Sequence, residues 1–337
     1  MSKSEADTMH TRIATVLQRQ CGGAPIMMME TSKSWIFLTP DEVYKLKKSV
    51  RDELQDLTPL RARHDNTLTE IDLNRRLAPQ VYLGAVRVVE GLDGALAIGQ
   101  SGTTVDWLLH MRRLPASRML DVMIDDHLAT PEILHPLVDK LVDFLVPFYR
   151  NAPQTNLTAQ ELLTIFYDQQ VMNRGIMLNP AFAQYQPRLK AVLHGFDQSL
   201  GAFFTLFSRR VAAGWIRECH GDLRPEHICA VDPPIVFDCL EFNRNLRIVD
   251  PLSEIAFLGL ECEIQGATWI KQRLIQGVTK GLLDRADPEL LRYYTVIHAL
   301  LRIRLCLAHL LVPQPRKPAK WIPLSLRYLE IAEGLMA

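Results

Sequence analysis

Net charge is missing from this chain of 337 residues: 38 Lys and Arg balance 38 Asp and Glu. No global basic field therefore draws it to nucleic acid or to an acidic membrane surface, and neither partner is expected. Long apolar runs without charge are missing too. The most apolar stretch, 296–312, contains His298, Arg302, Arg304 and His309, so it predicts a buried helix and not a membrane span. The opening MSKSEADTMHTRIATVLQRQ lacks the apolar segment of a signal peptide. Six cysteines occur but no C-x-x-C pair, and the spacing of Cys219, Cys229 and Cys239 matches no zinc site. They read as reduced small hydrophobes of a cytoplasmic protein. Neither G-x-x-x-x-G-K-[ST] nor G-x-G-x-x-G occurs, which excludes the two common glycine-rich phosphate cradles. Internal repeats and low-complexity segments are absent as well.

What is present is an ordinary globular composition, 48% hydrophobic and 23% charged, in a chain long enough for two domains or one two-lobed one. The pattern changes near residue 115. Before it, PIMMME (25–30), SWIFL (34–38), EVYKL (42–46), VYLGAVRVV (81–89) and TVDWLLHM (104–111) predict strands. Residues 31–34 and 39–41 are short enough for hairpin turns. One helix interrupts the strands, with Thr58 as N-cap, Pro59 in its first turn, and Leu60, Leu68, Ile71 and Leu77 along an apolar stripe. After residue 115, Ile133, Leu134, Leu137, Val138, Leu141, Val142, Leu145 and Phe148 form a strong helical stripe. PQTNLTAQ (153–160) reads as a polar loop, and helical patterns return at 188–212, 252–264, 268–283, 288–312 and 320–335. The expected organisation is α+β, with a sheet-rich N-terminal lobe at 1–114 and a larger helical lobe at 115–337.

One stretch, IRECHGDLRPEHICAVDPPIVFDCLEF (216–242), crowds acids, histidines and cysteines between apolar runs. ICAV and IVFD predict two strands joined at Asp232-Pro233-Pro234. Antiparallel pairing with 231 opposite 235 sets 228 against 238 and 227 against 239. His227 and Asp238 then become diagonal neighbours about 7–8 Å apart. Asp222 lies on the loop feeding the first strand. In protein kinases the catalytic loop H-R-D-x-x-x-x-N places a base and a metal ligand five residues apart. HGDLRPEH sets His220, Asp222 and His227 at the same offset.

At these residues the sequence resembles the aminoglycoside phosphotransferase-like branch of the protein-kinase-like fold, a broad group that includes choline, fructosamine and homoserine kinases. That branch has the loop H-G-D-x-x-x-x-N, a metal-binding acid after a hairpin with another acid often three residues on, and then D-P-x-x-D-L-A. Here FDCLEF supplies Asp238 and Glu241, and DPLSEIA (250–256) follows. The N-terminal half is similar more softly. EVYKL resembles the strand with the phosphate-binding lysine, implying Lys45. TEIDLNRRL resembles the helix with its glutamate partner, implying Glu70. LLHMRRLP (108–115) resembles the hinge beside adenine, implying Met111 and Arg113, with the hinge at 111–114. The resemblance spans about residues 25–310, and the whole chain looks like an uncharacterised bacterial branch of this group.

The resemblance implies a two-lobed fold with a small antiparallel-sheet N-lobe. It implies ATP with Mg²⁺, or Mn²⁺, and a small-molecule acceptor bearing a hydroxyl. Asp222 would be catalytic, Asp238, His227 and Glu241 would hold the metal, and Ser32 and Ser34 of the turn ETSKSW would face the phosphates. Two departures stand out. His227 occupies the usual asparagine position, although magnesium prefers oxygen ligands, and the turn lacks glycine.

Each residue also has a plainer reading. Asp222 could be a turn acid, His220 and His227 loop-shaping histidines, and Glu241 a partner of Arg244 or Arg247. Lys45 and Lys47 point to the same side of a strand; Lys45 is preferred because it follows Val43-Tyr44 directly. Thr67-x-x-Glu70 is a capping-box pattern, unless the helix starts earlier at Thr58-Pro59. Asp250 reads as an N-cap, and Arg224 as a substrate contact or a solvated side chain. Two rival functions remain: a pseudokinase-like nucleotide-binding protein without transfer, and a metal-dependent hydrolase using His220, Asp222, His227 and Asp238.

Overall fold

The computed structural model describes residues 8–52, 55–125 and 130–336, which form two compact units. The first comprises Met1–Arg118 together with His227–Cys229 and Ile235–Arg244. The second comprises Met119–Glu226, Ala230–Pro234 and Asn245–Ala337. The architecture is α+β, an antiparallel sheet in the smaller unit and mainly helices in the larger.

The sheet of the first unit contains β1 (Met27–Glu30), β2 (Ser34–Leu38), β3 (Glu42–Lys47), β4 (Tyr82–Glu90), β5 (Leu96–Ile98) and β6 (Thr103–Arg112), in the order β1-β2-β3-β6-β4-β5. Five of these are the predicted strands. β5 is only three residues long, too short for an alternation to register. A threonine hydroxyl closes each of the first two hairpin turns: Thr31 Oγ1 accepts from the Ser34 amide at 2.9 Å, and Thr39 Oγ1 from the Glu42 amide at 3.0 Å. An unpredicted helix, α1 (Met9–Gln20), buries Ile13 and Leu17 in a cluster with Phe37, Leu46, Val88, Ile98 and Leu108.

Helix α2 (Leu60–Arg75) corrects two expectations. Its N-cap is Pro59, while Thr58 turns its hydroxyl to Asp56 at 2.5 Å. Its inward face is not an apolar stripe. Arg63, Thr67, Glu70 and Asn74 are buried beside Ile71 and Leu73, and Leu68 is exposed. Thr67 is therefore an interior residue whose hydroxyl donates to the Arg63 carbonyl at 2.8 Å, and no capping box forms with Glu70. Arg63 grips Asp106 of β6 through Nε and Nη2, both at 3.0 Å.

The second unit holds α3 (Leu120–Asp125), α4 (Pro131–Asn151), α5 (Ala159–Met177), α6 (Gln186–Ala212), α7 (Pro251–Ile264), α8 (Thr268–Leu282), α9 (Pro288–Ala308) and α10 (Pro318–Met336). The predicted stripe of α4 is buried at Leu134, Val138, Leu141, Val142 and Leu145, although Ile133 faces solvent. α5 starts inside the stretch read as a polar loop. Thr158 and Glu161 form a capping box at its start, and its buried face mixes Leu162 and Met177 with Gln170 and Asn173, which hides any apolar period. α7 is buried almost all round and centres the core with α9. Two short strands, β7 (Arg217–Glu218) and β10 (Ile248–Val249), pair beside it. Among the described residues no helix is long and apolar enough to cross a membrane. The six cysteines are free thiols, all but Cys21 buried.

Candidate functional site

In the first unit, strand alternation sends Lys45 and Lys47 of β3 to one face, and both reach Glu70 of α2. Lys45 Nζ lies 2.8 Å from Glu70 Oε1, and Lys47 Nζ pairs with Glu70 Oε2. The two lysines differ in their second partners. Lys45 meets Asp238 Oδ1 at 3.2 Å, and Lys47 meets Glu241 Oε1 at 2.5 Å. The side chains of Glu70 and Lys47 are 0% and 2% exposed, whereas that of Asp238 is 40% exposed. Three carboxylates and two lysines thus alternate in one array, open to solvent at its Asp238 end.

The electrostatics follow from that array. Burial alone would lower the Lys45 pKa, but Asp238, Glu70 and Glu241 outweigh it and lift it well above the usual lysine range. Burial works against the charged form of Asp238, yet Lys45 and His227 hold its carboxyl well below the ordinary range. Glu70 is likewise lowered against burial by Lys45 and Lys47. Near neutral pH Lys45, Glu70 and Asp238 are therefore all ionised.

Asp238 follows a hairpin of β8 (Ile228–Cys229) and β9 (Ile235–Val236). The register differs from the expected one: Ile228 pairs with Val236, not Asp238, and Cys229 with Ile235. The Phe237 amide still donates to the His227 carbonyl at 3.0 Å, and His227 Nε2 stands 3.5 Å from Asp238 Oδ2. Asp238 adopts a left-handed backbone, φ 63°, and leaves the strand. Its amide donates to the Tyr82 hydroxyl at 3.1 Å, and the next amide, Cys239, donates to Asn74 Oδ1 at 2.9 Å.

The other predicted residues of this unit lie elsewhere. Ser32 is exposed at the β1–β2 turn, while Ser34 is buried with no hydrogen bond to its Oγ. Met111 sits in β6 between Val43 and Tyr82. Arg113 follows that strand and is tied back to the β2–β3 turn, its amide to the Asp41 carbonyl at 2.9 Å and Nη1 to the Thr39 carbonyl at 2.5 Å.

Asp222 belongs to the second unit, five positions before His227 in the chain. Glu254, buried on α7, shapes its loop. One oxygen accepts from the amides of His220 and Gly221 at 2.9 and 2.7 Å, and the other accepts from the Tyr149 hydroxyl at 2.9 Å. The Asp222 amide donates to His220 Nδ1 at 3.2 Å, so His220 orients the loop from within. The Asp222 carboxylate pairs with Arg224 Nε at 3.0 Å, and Arg224 also reaches Glu226 at 2.6 Å. Asp250 caps α7 through the Leu252 amide at 2.9 Å and binds Arg210 at 2.6 and 2.9 Å.

Four contributors escape a reading of the sequence. Glu254 sits in DPLSEIA with no role assigned. Asn74 follows Glu70 by four helical positions, a detectable spacing. Lys47 enters only as the alternative to Lys45 on the same strand face. Tyr82 gives no signal at all.

No family model matches the chain. It is 25% identical over 282 residues to uncharacterised proteins of Mycobacterium bovis and Mycobacterium tuberculosis, a match covering 83% of this chain and 54% of theirs. The chain therefore spans about half the length of these curated relatives. Among solved structures it resembles a choline/ethanolamine kinase family protein from Mesorhizobium loti, with TM-score 0.56, 13% identity, and coverage of 98% of this chain and 95% of the other. It also resembles the choline kinase LicA from Streptococcus pneumoniae, with TM-score 0.53, 11% identity, and coverage of 96% and 98%. The GDP and kanamycin complex of APH(2″)-IIia matches with TM-score 0.51, 13% identity, and coverage of 97% and 98%. These likenesses show the fold: the protein-kinase-like fold in its aminoglycoside phosphotransferase-like form.

Proposed function

We propose that the chain is an ATP-dependent phosphotransferase that moves the γ-phosphate to a hydroxyl group of a small molecule. One observation carries the reading: Lys45 stands between a fully buried Glu70 and an ionised, partly exposed Asp238. A cation fixed by one carboxylate and adjoining another suits the phosphates of a metal-bound nucleotide. In this reading Lys45 grips the α- and β-phosphates and Glu70 orients it. Ser32 and Ser34 belong to the turn over the phosphates, and Met111 and Arg113 to the segment beside adenine. Asp222 takes the hydroxyl proton while the hydroxyl oxygen bonds to the γ-phosphorus. The bond to the β–γ bridging oxygen breaks, and ADP leaves. Most of the rate enhancement comes from positioning and charge.

A divalent cation fits the residues present. Magnesium is commonly held by one or two carboxylates plus substrate phosphates. Asp238 is such a carboxylate, and His227 Nε2 lies 3.5 Å from it. Carboxylate and phosphate oxygens suit Mn²⁺ as well as Mg²⁺, so both ions belong in the reading. Glu241 is engaged by Lys47 and acts through that lysine. Bound there, the cation would neutralise charge on the phosphates.

Calorimetric titration of ATP, with and without Mg²⁺, into wild type and Asp238→Ala tests the proposal. Magnesium-dependent binding lost in the variant is expected. No ATP binding by folded wild type would sink the kinase reading. Binding indifferent to metal in both proteins would favour nucleotide binding without transfer, a second reading motivated by His227 in the asparagine position.

A further inference from the structure

We propose that Asn74 and Tyr82 are positioning residues that hold Asp238 in its working conformation. The inference rests on the phosphotransferase reading for its purpose, but the geometry stands apart from it. Asp238 has a φ of 63°, a left-handed backbone that aspartate adopts more readily than most residues other than glycine and that here comes with two side-chain anchors. Two consecutive amides are held by side chains and not by a strand. Asp238 N–H donates to the Tyr82 hydroxyl at 3.1 Å, and Cys239 N–H donates to Asn74 Oδ1 at 2.9 Å. Tyr82, Asn74 and Cys239 are 1%, 0% and 0% exposed, so no water substitutes easily for either acceptor.

Asn74 is itself fixed. Its Nδ2 donates to the Glu70 carbonyl at 2.8 Å, which sets the direction of the carboxamide. Glu70 and Asn74 lie one turn apart on the same face of α2. That single face therefore fixes the lysine, through the Glu70 carboxylate, and the acid, through the Cys239 amide. Tyr82 adds a second hold from β4. A buried amide needs an acceptor for stability alone. Holding Asp238 in place predicts more, namely that the cation's contribution to nucleotide binding depends on both side chains.

The test uses the whole chain with ATP and MgCl₂ as probes and with ¹⁵N-cysteine label. Three variants serve: Tyr82→Phe, Asn74→Ala, and Asn74→Asp, which keeps the acceptor oxygen. In wild type the Cys239 amide should resist hydrogen exchange. Asn74→Ala should speed it by about 10-fold or more, and Asn74→Asp should restore protection. The gain in ATP affinity on adding Mg²⁺ should fall about 10–100-fold in Tyr82→Phe and Asn74→Ala, while metal-free ATP affinity stays within about twofold. A full Mg²⁺ gain in both variants overturns the proposal even if their stability drops. Should Asn74→Ala not fold, Tyr82→Phe, which loses one oxygen atom, decides the matter by the same gain. If wild type binds no ATP, the phosphotransferase reading falls separately. Cys239 exchange then tests the hold on the backbone alone, and an unchanged rate in Asn74→Ala overturns the positioning role.

Discussion

Lys47→Met isolates the buried half of the lysine array. The Lys47 side chain is 2% exposed and pairs with Glu70, which is 0% exposed, and with Glu241. Methionine keeps the length of the chain and removes the charge. Three carboxylates facing two lysines become three facing one, with Glu70 left to Lys45 and Glu241 left without its lysine. Breaking a buried pair by removing one partner costs about 3–5 kcal/mol. With an m-value of about 2 kcal/mol/M in urea, the midpoint of the first unit should fall by about 1.5–2.5 M. Trp35 and Trp107 lie in that unit and Trp215, Trp269 and Trp321 in the other, so the fluorescence of a background with the last three replaced by Phe, alongside circular dichroism, follows it. Adding Glu241→Leu should recover part of the loss, because it removes a carboxylate that no longer has its lysine. A coupling of about 0.5–3 kcal/mol is expected between the two sites. Lys45→Met should instead act mainly on ATP affinity, since Glu70 keeps Lys47. A midpoint shift for Lys47→Met below about 0.3 M, or about 0.6 kcal/mol, would refute the reasoning, because the charge would then not be held in a buried pair.

Two further outcomes are expected. Asp222→Asn should lower ADP release about 100–10,000-fold while ATP affinity stays within about twofold; loss of ATP binding with intact folding would contradict the assigned role. The contribution of Lys45, Glu70 and Asp238 to stability should be flat from about pH 5 to 10. Glu70 and Asp238 are lowered from ordinary values of 4.5 and 3.8, so their contribution is complete above those values and is lost as pH falls through the folded ones. Lys45 is raised above 10.5, so its contribution is complete below that value and is lost as pH rises through the folded one. Urea midpoints measured against pH should show a shallower acid limb for Glu70→Gln, and an equal slope in both proteins would argue against the Glu70 shift.

Much of this was legible because it was local. SWIFL is a strand and its two turns are closed by threonines within three residues, so the hairpins are written where they form. HGD, FDCLEF and DPLSEIA lie within forty residues, and the family resemblance they carry implied the fold. What the local pattern missed was set by distant partners. The β8–β9 register is slipped by two residues, with 230–234 as its connection, and beyond it Asp238 turns left-handed and meets Tyr82, 156 positions away. The choice between Lys45 and Lys47 could not be made from β3, since alternation sends both to Glu70 and only Asp238 and Glu241 distinguish them.

Helix α2 shows why such a site resists a binary pattern. Arg63, Thr67, Glu70 and Asn74 recur at helical spacing, and polar residues in that period normally face water. Here they face inward, and Leu68 is 41% exposed. The inversion is tolerable only because charged or polar partners arrive from far along the chain: Lys45 across 25 residues, Asp106 across 43, and the Cys239 amide across 165. Stability does not require it, because an apolar replacement for a buried ion pair often serves a fold as well or better. The inward polar face makes physical sense where a cation and a carboxylate must be presented together to a charged ligand. One rigid helix supplies that register, since a shift of α2 would move the support of Lys45 and of Asp238 at once.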